Sequence, residues 1–314
     1  MSFAPDAQTI LPSEVALAYA GIFKAPPARF EQRWTAWAAS YGGSNTTSGS
    51  ASAGSTSITA GTYGFAAGLD YHYSPDTIVG FALGGAGSNW GLATGLGSGR
   101  SDAFQAGVYG TSRAGPSYIA GALSLANNWF TTNRTALGDA LTGAFAGQSY
   151  AVRLEGGYRF PLVPDFMPGA IIGVTPYAGL QAQDFHTQAF SETDVTGGGL
   201  GLAYGSMNAA DVRTELGVRF DDPTLVAGMP LVLIGRLAWA HDFVTNPSLS
   251  TAFQALPGAS FTVNGAPPPQ DSALATAGAE LFINPRWSLL AKFDGQFAPG
   301  SQTYAGTGAL RYIW

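Results

Sequence analysis

The residues able to do chemistry come in alternating pairs. Arg153 and Glu155 stand two apart, as do Asp211 and Arg213, Arg213 and Glu215, and Lys292 and Asp294. A carboxylate beside a guanidinium is a candidate general acid or base. On a strand, however, side chains two apart share a face, and the simpler reading of each pair is a structural salt bridge. His72, His186 and His241 are far apart and have no companions at metal-ligand spacing, so no metal site is assigned. The glycine runs at 95–99 and 197–201 have the composition of phosphate-binding loops, but neither opens a helix inside a βαβ unit. There is no G-x-S-x-G nucleophile elbow. The chain also lacks cysteine, which removes thiolate chemistry, disulfides and thiolate-held metals. No catalytic residue, cofactor or metal ligand is assigned.

What positions the charges is a period of two that starts at Arg33 and runs to Trp314. Twelve stretches carry it, at about 33–41, 61–74, 76–88, 101–113, 116–130, 147–161, 173–187, 204–221, 231–243, 272–283, 286–297 and 302–314. In 147–161, Tyr150, Val152, Leu154, Tyr158 and Phe160 oppose Arg153, Glu155 and Arg159. In 204–221, Val212, Leu216, Val218 and Phe220 oppose Asp211, Arg213, Glu215, Arg219 and Asp221. In 286–297, Trp287, Leu289, Phe293 and Phe297 oppose Arg286, Lys292, Asp294 and Gln296. The last stretch splits into Tyr304, Gly306, Gly308, Leu310, Tyr312 and Trp314 against Ala305, Thr307, Ala309, Arg311 and Ile313. Tyr109, Trp129 and Phe185 interrupt the alternation of their strands. Trp34, Trp37, Tyr71, Tyr73, Tyr158, Trp239, Trp287, Tyr312 and Trp314 lie near strand ends, where aromatic girdles form.

Only 11% of the 314 residues are charged, while 46% are hydrophobic and 43 are glycine. An ordinary globular domain is about a quarter charged. The longest apolar run, near Leu231, is broken by Arg236 well short of the roughly 18 residues a spanning helix needs. Hydrophobicity spread over alternate residues instead predicts an all-β fold, a twelve-stranded antiparallel transmembrane β-barrel. An Arg or Lys turned to the bilayer midplane costs about 2–4 kcal/mol, so the charged faces must line the lumen. Asp70, Arg236, Asp242, Glu280 and Arg311 complete the lumen-lining set. Its near balance of sign predicts ion pairs and water without strong ion selectivity. A soluble sandwich with a wet charged face is the weaker alternative, given the size of the opposing apolar face.

The connections add direction. Short turns at 74–76, 114–115 and 284–285 alternate with long loops at 42–60, 89–100, 131–146, 188–203 and 244–271. Connections at 162–172 and 222–230 are of middling length, and the short one near Pro299 breaks the pattern. Short periplasmic turns and longer outward loops are the rule for outer-membrane barrels, and an even strand number then puts both barrel ends on the periplasmic side. Residues 1–32 differ: Leu11-Pro12-Ser13-Glu14 is a helix entry, and Val15, Leu17, Tyr19, Ile22 and Phe23 give about three turns before Pro26-Pro27. They are read either as a short α-helix lodged in the pore or as a loosely ordered leader. The start lacks the basic and apolar regions of an export signal, so Met1 is expected to begin an excised fragment. At a net charge of -6 with no basic cluster, no nucleic-acid partner is expected.

With these segments laid out, the chain resembles the C-terminal translocator domain of the autotransporter (type V secretion) family. The carrying segments are R-W-T-A-W-A-A-S-Y-G-G (33–43), T-I-V-G-F-A-L-G-G (77–85), R-L-E-G-G-Y-R-F (153–160), T-P-Y-A-G-L-Q (175–181), R-T-E-L-G-V-R (213–219), R-L-A-W-A-H-D-F (236–243), L-P-G-A-S-F-T-V-N-G (256–265) and the terminal Y-A-G-T-G-A-L-R-Y-I-W. The resemblance implies an outer-membrane barrel of a Gram-negative bacterium at 33–314, preceded by a linker and pore helix at 1–32 that maps onto about Ser13 to Lys24. It implies a non-catalytic, monomeric transport domain that carries an N-terminal passenger of the same polypeptide to the cell surface. It also implies that Leu310, Tyr312 and Trp314 form the signal read by the barrel-assembly machinery. Some members release the passenger through an asparagine in the pore helix; residues 1–32 contain none, so a passenger that stays attached or is cut by another protease is expected. The rivals are a free-standing porin-like channel and an outer-membrane hydrolase using the long loops.

Overall fold

The computed structural model describes residues 33–49, 55–163, 172–244, 248–264 and 269–314. The pore-helix residues expected at Val15, Leu17, Tyr19, Ile22 and Phe23 lie outside the described residues. Twelve long strands build the wall: β1 Trp34–Thr47, β2 Ile58–Ser74, β3 Thr77–Leu92, β4 Gly97–Ala114, β5 Ser117–Ala136 and β6 Asp139–Tyr158. They continue as β7 Ile172–Thr187, β8 Met207–Val226, β9 Met229–Val244, β10 Asp271–Phe282, β11 Trp287–Ala298 and β12 Ser301–Ile313. Each pairs antiparallel with the next, and β1 closes the ring on β12 from Thr35↔Ile313 to Thr47↔Ser301. Closure removes the edge strands that an open sheet would leave unpaired in lipid.

Alternation decides which way each side chain points. Leu123, Leu125, Val152, Leu154, Leu216, Leu237, Phe293 and Leu310 are exposed on the outer face, whereas Glu155, Glu215, Arg219, Asp242 and Glu280 are buried on the inner one. A soluble protein would hide the first set and expose the second; a barrel in hydrocarbon inverts that order. At the end of the barrel where Trp34 and Trp314 exchange backbone hydrogen bonds, outward aromatics pack together, Trp34 tilted against Tyr71, and Tyr312 tilted against Trp287 and stacked on Trp314. We call this the turn end, and the opposite one the loop end.

All twelve expected strands are present, and most run further than their alternation predicts. The segments 89–100 and 131–146, read as long loops, are largely strand: β3 and β4 are joined through 93–96, and β5 and β6 pair down to Ala136↔Asp139. Beyond the lipid the outer face has no reason to be apolar, so the alternation fades while the backbone ladder continues. The tip residues Leu137 and Gly138 both have positive φ (48° and 88°), as do Ala227 and Gly228 (51° and 77°) at the β8–β9 turn. This is the handedness two-residue hairpins require. The middling connection expected at 222–230 is therefore a tight turn.

Two connections at the loop end fold onto each other. Phe190–Ser191, Leu202–Tyr204, Ser248–Phe253 and Leu256–Asn264 form a separate four-stranded sheet, while Thr193 and Asp194 pair with the free upper edge of β6.

Candidate functional site: the inner wall

The inner face of β5–β11 carries one continuous hydrogen-bonded lattice. Arg153 of β6 donates from one nitrogen to Glu155 and to Glu215 of β8, each at 2.9 Å. Glu155 also accepts from the Tyr118 hydroxyl of β5 at 2.7 Å and from both terminal nitrogens of Arg219. The Arg219 guanidinium lies 4.2 Å from the centre of the Tyr177 ring, a cation–π contact, and the Tyr177 hydroxyl of β7 donates to Glu215. From Glu215 the lattice crosses to Arg236 of β9 at 3.1 Å, then to Thr276 of β10 at 3.1 Å. Thr276 donates to Asp294 of β11 at 2.6 Å, and Lys292 closes the far end at 2.8 Å. Seven neighbouring strands are thus tied together on the lumen side. Glu155 and Glu215 are only 3% exposed, and carboxylates so desolvated require this many donors.

Smaller groups flank the lattice. Arg159 pairs with Asp221 at 2.5 Å toward the turn end, and Arg213 forks onto Asp242 at 2.6 and 2.9 Å toward the loop end. Arg311 reaches Glu280 at 3.4 Å, and Ser288 donates to the same carboxylate at 2.7 Å. Asp211 faces Gln183 at 3.4 Å. Across the lumen, the Trp37 indole donates to the Tyr109 hydroxyl at 2.6 Å, and that hydroxyl donates to Asp70.

The structure thus places Asp70, Arg153, Glu155, Arg159, Asp211, Arg213, Glu215, Arg219, Arg236, Asp242, Glu280, Lys292, Asp294 and Arg311 on the inner side. Arg286 is the exception. It stands exposed in the four-residue turn 283–286, because the Asn284 side chain accepts the backbone N–H groups of Arg286 and Trp287 and delays the strand to Trp287. Trp37, expected in the aromatic girdle, points inward instead. Tyr109, Trp129 and Phe185 turn out to keep the alternation: Trp129 is 51% exposed outside, while Tyr109 and Phe185 face in. Tyr118, Tyr177 and Thr276 were missed. Their parity with Glu155, Glu215 and Asp294 across the sheet was the available signal, but it needs the strand register.

At the loop end aromatic rings gather. Phe190, from the connection after β7, stacks on Phe145 at 4.1 Å and on Tyr204 at 4.6 Å, and Phe145 stacks on Phe130 at 4.9 Å. Glu192 is held by both ends of the Arg134 fork at 2.7 and 2.6 Å, by the Leu202 N–H and by the Tyr204 hydroxyl. Burial, and then the neighbouring Glu192 charge, push the Tyr204 hydroxyl up to about 12. Asp139, 4% exposed at the β5–β6 tip, accepts from the Thr196 hydroxyl and from the N–H groups of Gly198 and Leu200. These donors, Thr196 foremost, hold its carboxyl below the usual aspartate range. The first glycine run thus straddles the β3–β4 connection and the start of β4, and the second is a connection wrapped around Asp139. Among the described residues no cluster of three metal-ligating side chains occurs.

A closed ring of twelve antiparallel strands with an apolar exterior and an ion-paired lumen defines an outer-membrane transmembrane barrel. The autotransporter β-domain family model matches residues 36–294. The chain belongs to that family: it is a translocator barrel of a Gram-negative outer membrane. Its fold is similar to the translocator domain of the autotransporter NalP from Neisseria meningitidis, with 16% identity, a TM-score of 0.71 and coverage of 95% of this chain and 92% of that one. It is also similar to the β-domain of the Bordetella autotransporter BrkA, with 19% identity, a TM-score of 0.65 and coverage of 89% and 99%. An extracellular serine protease of Serratia marcescens is 24% identical over 282 residues, which are 88% of this chain and 26% of that protein. The chain thus spans about a quarter of that relative's length.

Proposed function

We propose that this barrel exports a passenger joined to its N-terminal side, with the turn end in the periplasm and the loop end outside. The observation that carries the reading is the inner wall. It carries charged and polar side chains along its middle and turn-end height, is closed against lipid, and is locked on one side by the lattice from Tyr118 to Lys292, which gives an extended chain a rigid path. The first barrel strand starts at the turn end, so a passenger joined there reaches the outside only through or beside the lumen. Residues 1–32 act as linker and plug, and 33–314 as the transport unit. The barrel works as a monomer and is itself non-catalytic; any activity belongs to the passenger, as the extracellular serine protease named above suggests. Without an asparagine in 1–32, the passenger stays attached or is released by another protease. Leu310, Tyr312 and Trp314, in phase on the outer face of β12, present the signal for the barrel-assembly machinery.

The deciding experiment fuses an export leader and an epitope ahead of residue 1 and follows the epitope in intact cells. Export predicts digestion of the epitope by added protease; an assembled barrel whose epitope stays protected would overturn the reading. Planar-bilayer conductance tests the plug. Small, flickering current from the whole chain should become large and steady when residues 1–30 are removed, and equal steady currents would sink the plug.

A further inference from the structure

On the outer wall, two rows of side chains cross the six neighbouring strands β3–β8. One consists of Phe81, Val108, Leu123, Val152, Ala182 and Val212, each opposite the next in register. The other stands two residues nearer the loop end on every strand, from Leu83 through Tyr150 and Asp184 to Ala210. Between them lies an almost wholly apolar hollow of about 810 Å³. Its floor is the backbone of the intervening, inward-pointing residues, such as Gly107 and Ala151. Leu123, Leu125, Tyr150 and Leu83 are all about half exposed, so nothing in the chain's described residues covers them.

The shape selects the occupant. Rows two residues apart are about 7 Å apart, too narrow for a helix of about 10 Å diameter. A second barrel would offer a convex wall, which leaves the floor empty. Five inter-strand gaps of about 4.8 Å give the groove a length of about 24 Å. Because strands tilt by about 40°, a groove perpendicular to them climbs about 15 Å through the bilayer, half of a hydrocarbon core of about 30 Å. That is the depth of one leaflet. We propose that the groove holds a single acyl chain of a bilayer lipid as a resident ligand. Its head group lies toward the next row above Tyr150 and Asp184, where Gln148, His186 and Asn208 stand in register and supply polar partners. The inference rests on the outer wall facing lipid and not on export, so a barrel that exports nothing would still bind.

Native mass spectrometry of the full chain, released from vesicles of phosphatidylethanolamine and phosphatidylglycerol, tests it. The wild type should retain one lipid. Ala182→Trp fills the groove between Val152 and Val212 and should lower that adduct about tenfold, the effect of ~1.4 kcal/mol. Ala277→Trp places the same ring on the outer face of β10, opposite Gly235 and Phe293, and should keep the lipid. Heat-dependent gel mobility verifies that both variants are folded. Equal retention in both variants, equal loss in both, or a wild-type dimer that Ala182→Trp abolishes would each overturn the assignment, the last in favour of a second copy.

Discussion

Glu215→Ala measures how dry the inner lattice is. Glu215 accepts from Arg153 at 2.9 Å, from Arg236 at 3.1 Å and from the Tyr177 hydroxyl. The two arginine side chains are 13% and 15% exposed, so neither recovers full hydration when the carboxylate is removed. A hydrogen bond to a charged group contributes about 1.5–3 kcal/mol, which puts the two arginine bonds together near 3–6 kcal/mol. Part is retained, because Arg153 keeps Glu155 at 2.9 Å and Arg236 keeps Thr276 at 3.1 Å. The expected loss is therefore about 3 kcal/mol, the lower end of what breaking a buried pair costs. Urea unfolding of the barrel in lipid vesicles, followed by tryptophan fluorescence, reads this directly. Glu215→Gln keeps the shape and one acceptor and should fall between the wild type and the alanine variant. A Glu215→Ala loss below about 1 kcal/mol, the value of a solvated pair, would refute the desolvated lattice and describe a lumen where water screens each charge separately.

Three further outcomes follow from the same geometry. Leu237→Arg puts a cation on the outer face of β9, where Leu237 is 61% exposed; it should cost about 2–4 kcal/mol in the same unfolding assay, and a neutral result would place that face out of lipid. Deletion of Trp314 removes the stacking on Tyr312 and the paired backbone bonds with Trp34; the heat-modifiable fraction in outer membranes should drop, and wild-type assembly would reject a role for the terminal residue. For Asp139 the folded pKa is depressed, so its contribution is complete above the ordinary aspartate value of about 3.9 and is lost as pH falls through the lower folded value. Hydrogen exchange at Gly198 and Leu200, corrected for intrinsic rate, should accelerate only in that acid window, and Asp139→Asn should show the acceleration at neutral pH. Unchanged protection in Asp139→Asn would remove the carboxylate as the anchor of that loop.

Much of the fold was legible because lipid imposes a rule that the chain must obey at every position. Within the bilayer a strand needs an apolar outer face, so Val152 and Leu154 against Arg153 and Glu155 fix both the strand and its orientation. Outside the bilayer the rule lapses. The tract from Thr131 to Ala144 is paired up to its two-residue tip, yet its composition, with Thr, Asn, Arg and Asp and no clean alternation, reads as loop. Arg286 shows the same limit at a strand end, where the Asn284 turn, and not the alternation, decides where the wall begins.

The site was less legible than the fold, for a reason of geometry. Charges two apart announce a face, but partnership is set between strands. Arg153 stands as close to Glu215, 62 residues away, as to Glu155, and Arg219 finds Tyr118 from 101 residues away. Sequence spacing suggests pairs along a strand, whereas the structure links them across seven strands into one lattice, with Tyr118, Tyr177 and Thr276 as its neutral joints. Those joints matter physically: a buried carboxylate with a single arginine is weakly compensated, and the hydroxyls of Tyr118 and Tyr177 supply the additional donors that let Glu155 and Glu215 stay charged on a nearly dry wall.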